Sequence, residues 1–195
     1  MTALLFNSGF DANAALFSVL PQPGDTILYD ALVHASVHDG MRASRIPSSR
    51  RIPFKHNCVK DLALKVREAL TYMDSDEERG NRKSRDKGTI FVAFEALYSM
   101  DGDFAPLTSI CSTIEALVLP SRACIIVDEA HSTGIYGHGR GMVEELGLGT
   151  RVHIRLHTFG KAMASSGGML LFEFWNKRGV MKDGMVMVGC SGSDM

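Results

Sequence analysis

The segment "LHTFGKAMASSGG", Leu156 to Gly168, carries one lysine, Lys161, among small residues. A lysine that follows an apolar run, with Gly160 beside it to allow close approach, can form a Schiff base with an aldehyde. Thr158 ahead of it, and Ser165 or Ser166 after it, offer hydroxyls that can hold phosphate oxygens. Alone, such a lysine is more often a solvated surface residue. A second segment is "IIVDEAHSTG". Asp128 and Ala130 lie two apart on a strand-like run, so their side chains face the same way. A carboxylate beside a methyl group suits the edge and the face of a flat ring. His131 follows three residues after Asp128. The plain alternative is an acid that caps the next turn.

Two further segments add groups. In "NSGFDANAAL", Ser8, Gly9 and Phe10 precede a helical pattern, and backbone N–H groups at a helix start attract phosphate. A simple capped helix fits equally well. "DALVHASVHDG" supplies His34, able to stack on an aromatic ring, and "EALYSMDGD" supplies Ser99, whose hydroxyl can bond a phenolic oxygen. Each of these alone reads as structural. Together the segments provide an aldehyde-capturing amine, a carboxylate for a ring nitrogen, a helix start for a phosphate and a stacking imidazole. That combination is what pyridoxal 5'-phosphate requires of a protein.

The elements that must position these groups are legible as apolar runs alternating with helical patterns. Strands are predicted at Thr26–Asp30, Thr89–Leu97, Ala123–Ala130 and Val152–Phe159. Helices are predicted at Asp11–Leu20, at Val59–Met73 with Leu62, Leu64, Val66 and Leu70 toward one side, and at Leu107–Leu119 between two prolines. The polar stretch Asp74–Lys87 reads as a solvated loop. Strand and helix in alternation predict an α/β fold with a mainly parallel sheet flanked by helices. In such sheets ligands gather beyond the carboxyl ends of the strands, where Asp128 and Lys161 fall.

The totals are consistent with this. The 195 residues, 45% hydrophobic and 22% charged, have an ordinary globular composition. A net charge of −1 gives no reason to expect a nucleic-acid or membrane-surface partner. No apolar run is long enough for a membrane span, and the first residues carry no secretory signature. Cys58, Cys111, Cys124 and Cys190 lack metal-ligand spacing and read as reduced thiols of an intracellular protein; no metal site is expected. The eleven methionines follow no helical stripe and read as gap-filling core and surface.

"FNSGFDAN", "DALVHASVHDGMRASR", "FKHN", "EALYSMDGDFAPL", "IIVDEAHSTGIYGHGRG" and "RLHTFGKAMASSGG" resemble the α-oxoamine synthases, over about residues 3 to 171. These are fold-type I pyridoxal-phosphate enzymes grouped with the class II aminotransferases, and the resemblance is strongest to the biotin-pathway branch. It implies that Lys161 holds the cofactor, Asp128 pairs with its ring nitrogen, and His131 and Ser99 lie at its phenolic oxygen. It places His34 on the ring face opposite Ala130, Ser8, Gly9 and Phe10 near the phosphate or ring, and Thr158 on the phosphate. The catalytic residues implied are Lys161, His34, Asp128 and His131.

The implied reaction is a decarboxylative condensation of an amino acid, alanine in the biotin-pathway members, with an acyl-CoA. A cytoplasmic homodimer is implied as well. Alternatives are a non-catalytic relative that keeps the cofactor site, and an aminotransferase of the same fold. Family members extend beyond both ends of this segment. The expected organisation is a partial cofactor-binding large domain over 1–171 and a divergent tail over 172–195. The family's N-terminal segment and C-terminal small domain are expected to be absent, and a chain of this extent is expected to be a poor catalyst.

Overall fold

Runs such as "IFVAFE" and "ACIIVD" are apolar without alternation, a pattern that requires cover on both faces of a sheet. They form strands β4 (Ile90–Glu95) and β5 (Ala123–Asp128), in which every residue is buried. The structure, a computed structural model, describes residues 2–78 and 88–173; the side chains of 76–78 lie outside that description. Its other strands are β1 (Thr2–Phe6), β2 (Thr26–Asp30), β3 (Arg51–Phe54), β6 (Ile154–Thr158) and β7 (Gly168–Phe172). Helices are α1 (Gly9–Val19), α2 (Ala35–Ala43), α3 (Val59–Glu78), α4 (Leu107–Leu117) and the short α5 (Met142–Glu145).

The seven strands form one sheet in the order β1-β7-β6-β5-β4-β2-β3. From β3 to β6 the pairs are parallel, while β7 runs antiparallel to both of its neighbours. Helices α1 and α2 bury Leu16, Phe17, Val37 and Met41 against Phe91, Ile126 and Ile154 on one face. Helices α3, α4 and α5 bury Leu62, Val66, Met73, Ile110, Ile114 and Val143 against Val92, Ile125 and Val127 on the other. The expected α/β class and mainly parallel sheet are therefore present. Among the described residues, no helix is long and apolar enough to cross a membrane.

Several local expectations are corrected. Helix α3 continues through Glu78, so the first part of the stretch read as a loop from Asp74 is helical. Residues 79–87 lie outside the described residues. Leu64 is 50% exposed, because two residues past Leu62 the helix has turned about 200° and points away from the sheet. The buried face runs instead through Leu62, Val66, Ala69 and Met73.

Strand β5 stops at Asp128, and Ala130 belongs to the turn beyond it. In β6, Arg155 and His157 are as buried as their apolar neighbours, so the alternation read there does not mark a solvent face. Strands β1, β3 and β7 and helix α2 were not expected. β3 carries Pro53 and survives because it is an edge strand. α2 offers only Val37 and Met41 as buried apolar side chains, too few for a periodic signal. β7 runs to Phe172, into the span read as tail; the rest of that span, 174–195, with Trp175 and Cys190, lies outside the described residues.

Helices α1 and α2 cross closely at Gly40. A Cβ there would lie 2.8 Å from the Ala14 carbonyl oxygen and 2.8 Å from Phe17 Cβ. Since α1 and α2 both carry site residues, this contact sets the site's width. Gly40→Ala is expected to lower the unfolding free energy by about 1–3 kcal/mol through overpacking. Urea denaturation followed by circular dichroism measures it, and a change within about 0.5 kcal/mol would show that the two helices can part without loss.

Candidate active site

The parallel register aligns the carboxyl ends of three strands. Glu95 at the end of β4 sits opposite Asp128 at the end of β5, and Asp128 sits opposite Leu156 in β6. Beyond these ends lies an open cleft of about 120 Å³. Its floor is Glu95, Asp128 and Leu156, and its walls are Gly9, Phe10 and Asn13 of α1 and His34 and Ser36 at the start of α2. Ala130, Thr158 and Lys161, from the turns after β5 and β6 and the end of β6, complete it.

Asp128 is 8% exposed and is held at both oxygens. Its Oδ1 accepts the backbone N–H of Ala130 at 2.9 Å, and its Oδ2 accepts from Asn13 Nδ2 at 2.8 Å. Burial, and then the neighbouring Asp128 charge, push the Glu95 carboxyl up to about 8, against the pull of the His34 backbone N–H and of Lys161.

Lys161 is exposed as a residue, but its amine reaches into the cleft. Lost hydration lowers the pKa of that amine below the ordinary lysine value, opposed by Asp128 and Glu95. The amine lies 2.6 Å from His131 Nε2. Loss of water, then the Lys161 charge, lowers the His131 pKa, and since a charged amine can only donate, Nε2 is its acceptor.

At the other end of the cleft, Ser8 caps α1. Its Oγ accepts the N–H of Asp11 at 3.0 Å, and its carbonyl takes the N–H of Ala12. Helix geometry leaves the first N–H groups, those of Gly9 and Phe10, without partners inside the helix. A Cβ on Gly9 would stand 3.0 Å from Thr158 Cβ and 3.1 Å from its hydroxyl, so glycine lets the helix start meet that side chain without displacing it. Gly168 plays the matching part in β7, where a Cβ would lie 2.7 Å from Gly9 N. A helix start and a hydroxyl pressed together in this way offer several hydrogen-bond donors to an anion.

The structure therefore gathers Gly9, Phe10, His34, Asp128, Ala130, Thr158 and Lys161 around one cleft, with His131 bound to Lys161. Ser8 is the helix cap rather than a wall of the cleft, and its hydroxyl also donates to Asp11. Ser99 is exposed in the turn after β4, outside the cleft's lining, and Ser165 and Ser166 are likewise exposed outside it. The "FKHN" and "SMDGD" motifs meet each other instead. His56 bridges Asp30 and Asp103 at 2.8 and 3.0 Å, and Asn57 donates to Asp103 at 2.7 Å.

Sequence reading missed four lining residues, the apolar Leu156 and the polar Asn13, Ser36 and Glu95. Asn13 and Ser36 are polar groups on otherwise apolar helix faces, and Glu95 is an acid inside an apolar strand run. A polar residue at a buried position of the pattern is the signal that marks them.

Residues 1–183 match the family model described as aminotransferase class I and II. The chain belongs to that family. Among its relatives is the 8-amino-7-oxononanoate synthase of Emericella nidulans, 46% identical over 171 residues, which are 87% of this chain and 39% of that protein. The aminoacyl transferase sphA of Byssochlamys spectabilis is 40% identical, over 87% of this chain and 34% of that one. Among family structures, serine palmitoyltransferase from S. paucimobilis, solved with a bound PLP–myriocin aldimine, superposes with a TM-score of 0.70 at 29% identity. That match covers 88% of this chain and 39% of the other. The chain thus spans well under half the length of the relatives it matches. The α/β sheet is the fold-type I sheet that these family structures share.

Glu95 gives the site a pH signature. Its folded pKa of about 8 lies above the ordinary value of 4.5, so the folded chain holds a proton that the unfolded chain releases. The resulting stabilisation is full below about pH 4.5 and is lost as pH rises through about 8. Glu95→Gln, which cannot ionise, is expected to remove this downward slope and to raise the melting temperature at pH 8.5 relative to the unsubstituted chain. Thermal melts at pH 5.5 and 8.5 measure it; equal slopes in the two proteins would rule out a protonated Glu95.

Proposed function

We propose that this chain is the cofactor-holding part of a pyridoxal-phosphate-dependent acyltransferase. In this reading the enzyme condenses an amino acid with an acyl-CoA and releases CoA and carbon dioxide. The favoured substrates are alanine and a pimeloyl-CoA-like thioester, and the protein works as a homodimer. The observation that carries the reading is the presence, in one cleft, of a partly desolvated lysine amine and a two-point-anchored carboxylate. The relatives named 8-amino-7-oxononanoate synthase support the choice of substrates.

The residues present fit the group. Lys161 Nζ offers the attachment point for the aldehyde carbon, Asp128 the anion for the ring nitrogen, and Thr158 with the first amides of α1 the phosphate cradle. His34 and Ala130, both in the cleft's lining, would flank the ring. When bound, the cofactor supplies an electron sink for a carbanion at the amino acid's Cα.

The chain's own groups do the rest. Asp128 is fixed at both oxygens, so it can hold a proton on the ring nitrogen without swinging away. Lys161 needs its neutral form to act as nucleophile or base, and dehydration shifts it toward that form. Once freed, its amine is placed to remove and return the Cα proton, with His131 Nε2 at 2.6 Å to steady it.

Incubation of the chain with pyridoxal 5'-phosphate, borohydride reduction and peptide mapping tests the site. The expected product is one phosphopyridoxyl adduct on the peptide containing Lys161, and Lys161→Ala is expected to abolish it. Label distributed over exposed lysines would reject the assignment. The reaction is tested by adding alanine and pimeloyl-CoA: release of free CoA thiol supports the acyltransferase, whereas pyruvate formed without CoA release would point to an aminotransferase.

A further inference from the structure

Asn13 and Ser36 are almost fully buried, 2% and 0% exposed, on helices that otherwise bury apolar groups. Asn13 enters the reaction set out above only as an anchor of Asp128, and Ser36 not at all. The Asn13 amide lies between two acceptors: its Nδ2 is 2.8 Å from Asp128 Oδ2 and 3.0 Å from Ser36 Oγ. A carboxylate only accepts, so the NH2 end of the amide must face Asp128, and the same NH2 end then donates to Ser36. Having accepted once, the Ser36 hydroxyl still has its hydrogen to give and one lone pair free. His34 Nδ1 lies 2.8 Å from that oxygen.

A second contact fixes the direction independently. The backbone N–H of Ser36 points at the same Nδ1, at 3.2 Å, as the side-chain cap of α2. A backbone N–H cannot reverse its role. A ring nitrogen that receives two donors carries no proton, which leaves the proton of a neutral imidazole on Nε2.

We propose that Asn13 and Ser36 are positioning residues that join the Asp128 carboxylate to the His34 imidazole in one hydrogen-bonded chain and hold His34 with its proton on Nε2. Two groups on different elements, at the end of β5 and the start of α2, are thereby set together. His34 then presents an N–H donor, rather than a lone pair, on the side of its ring away from α2. Its role toward a bound molecule is to donate a hydrogen bond and not to abstract a proton. The bearing on the cofactor rests on the function proposed above, but the tautomer is a property of the chain alone.

The test is long-range 1H–15N NMR of the full 195-residue chain labelled at its seven histidines, with His34 assigned by its loss in His34→Gln. The expected spectrum shows a pyridine-like Nδ1 and a pyrrole-like Nε2 for His34; a protonated Nδ1 overturns the proposal. In Asn13→Leu, Ser36 loses the donor that orients its hydroxyl, so the His34 Nδ1 signal is expected to shift as the hydroxyl hydrogen bond weakens, while the backbone N–H of Ser36 keeps Nδ1 unprotonated. A folded Asn13→Leu chain with an unchanged His34 spectrum overturns the coupling. If that variant does not fold, Ser36→Ala, which deletes one oxygen, carries the same expectation and the same refutation.

Affinity for pyridoxal 5'-phosphate, read by fluorescence titration, is expected to fall roughly tenfold in Asn13→Leu as Asp128 loses a hydrogen bond. Unchanged affinity would overturn the link to Asp128. A wild-type chain that shows the expected tautomer but binds no pyridoxal 5'-phosphate would sink the proposed function and leave the hydrogen-bonded chain standing.

Discussion

Two acids, Glu95 and Asp128, stand opposite each other at the ends of adjacent parallel strands, on the same face of the sheet and nearly out of reach of water. Two such charges side by side repel, and burial makes each one harder to hold. The surroundings decide which acid keeps its charge. Asp128 accepts hydrogen bonds at both oxygens, while burial and the Asp128 charge leave Glu95 holding its proton to about pH 8. Near neutral pH Glu95 therefore adds no charge to the cleft, and the carboxyl anchored at both oxygens beside the Lys161 amine is that of Asp128. One carboxylate is the charge a cationic ring nitrogen needs, and a second would bind it without direction.

This arrangement depends on how closely the helices approach the sheet. Gly40 lets α2 press on α1, and Gly9 and Gly168 let the start of α1 press on Thr158 and β7. Each contact brings a different group to the cleft: His34 and Ser36 through α2, the helix start and Asn13 through α1. On the opposite side of β2 and β4, His56 clamps Asp30 to Asp103, with its pKa raised because those two hydrogen bonds outweigh its burial. That clamp fixes the turn that carries Ser99. The site is thus held by packing on one face and by a polar bridge on the other.

Much of the site was legible in the sequence, for a physical reason. Asp128, Thr158 and Lys161 come from strand ends and the turns beyond them, where an apolar run stops and a functional side chain begins, so type and position point the same way. Asn13 and Glu95 were not legible, because each lies within an apolar run whose pattern is unaffected by one polar member, and Ser36 was not, because α2 carries too few apolar residues to show which face is buried. Their partners are 115, 33 and 2 positions distant in the chain, and only Ser36 has its partner nearby. The central strands β4 and β5 could be read from composition. The edge additions β1, β7 and β3 could not, because their strand character comes from the neighbour they pair with and not from their own residues.

The central claim is that Lys161 and Asp128 grasp one molecule of pyridoxal 5'-phosphate from opposite ends of its ring system. A crystal structure of the chain grown with the cofactor tests it most directly. Continuous density from Lys161 Nζ to the cofactor, with the ring nitrogen about 2.7–2.9 Å from an Asp128 oxygen, is the expected result. A cofactor bound elsewhere, or attached to Lys161 with its ring nitrogen turned away from Asp128 into solvent, would contradict it.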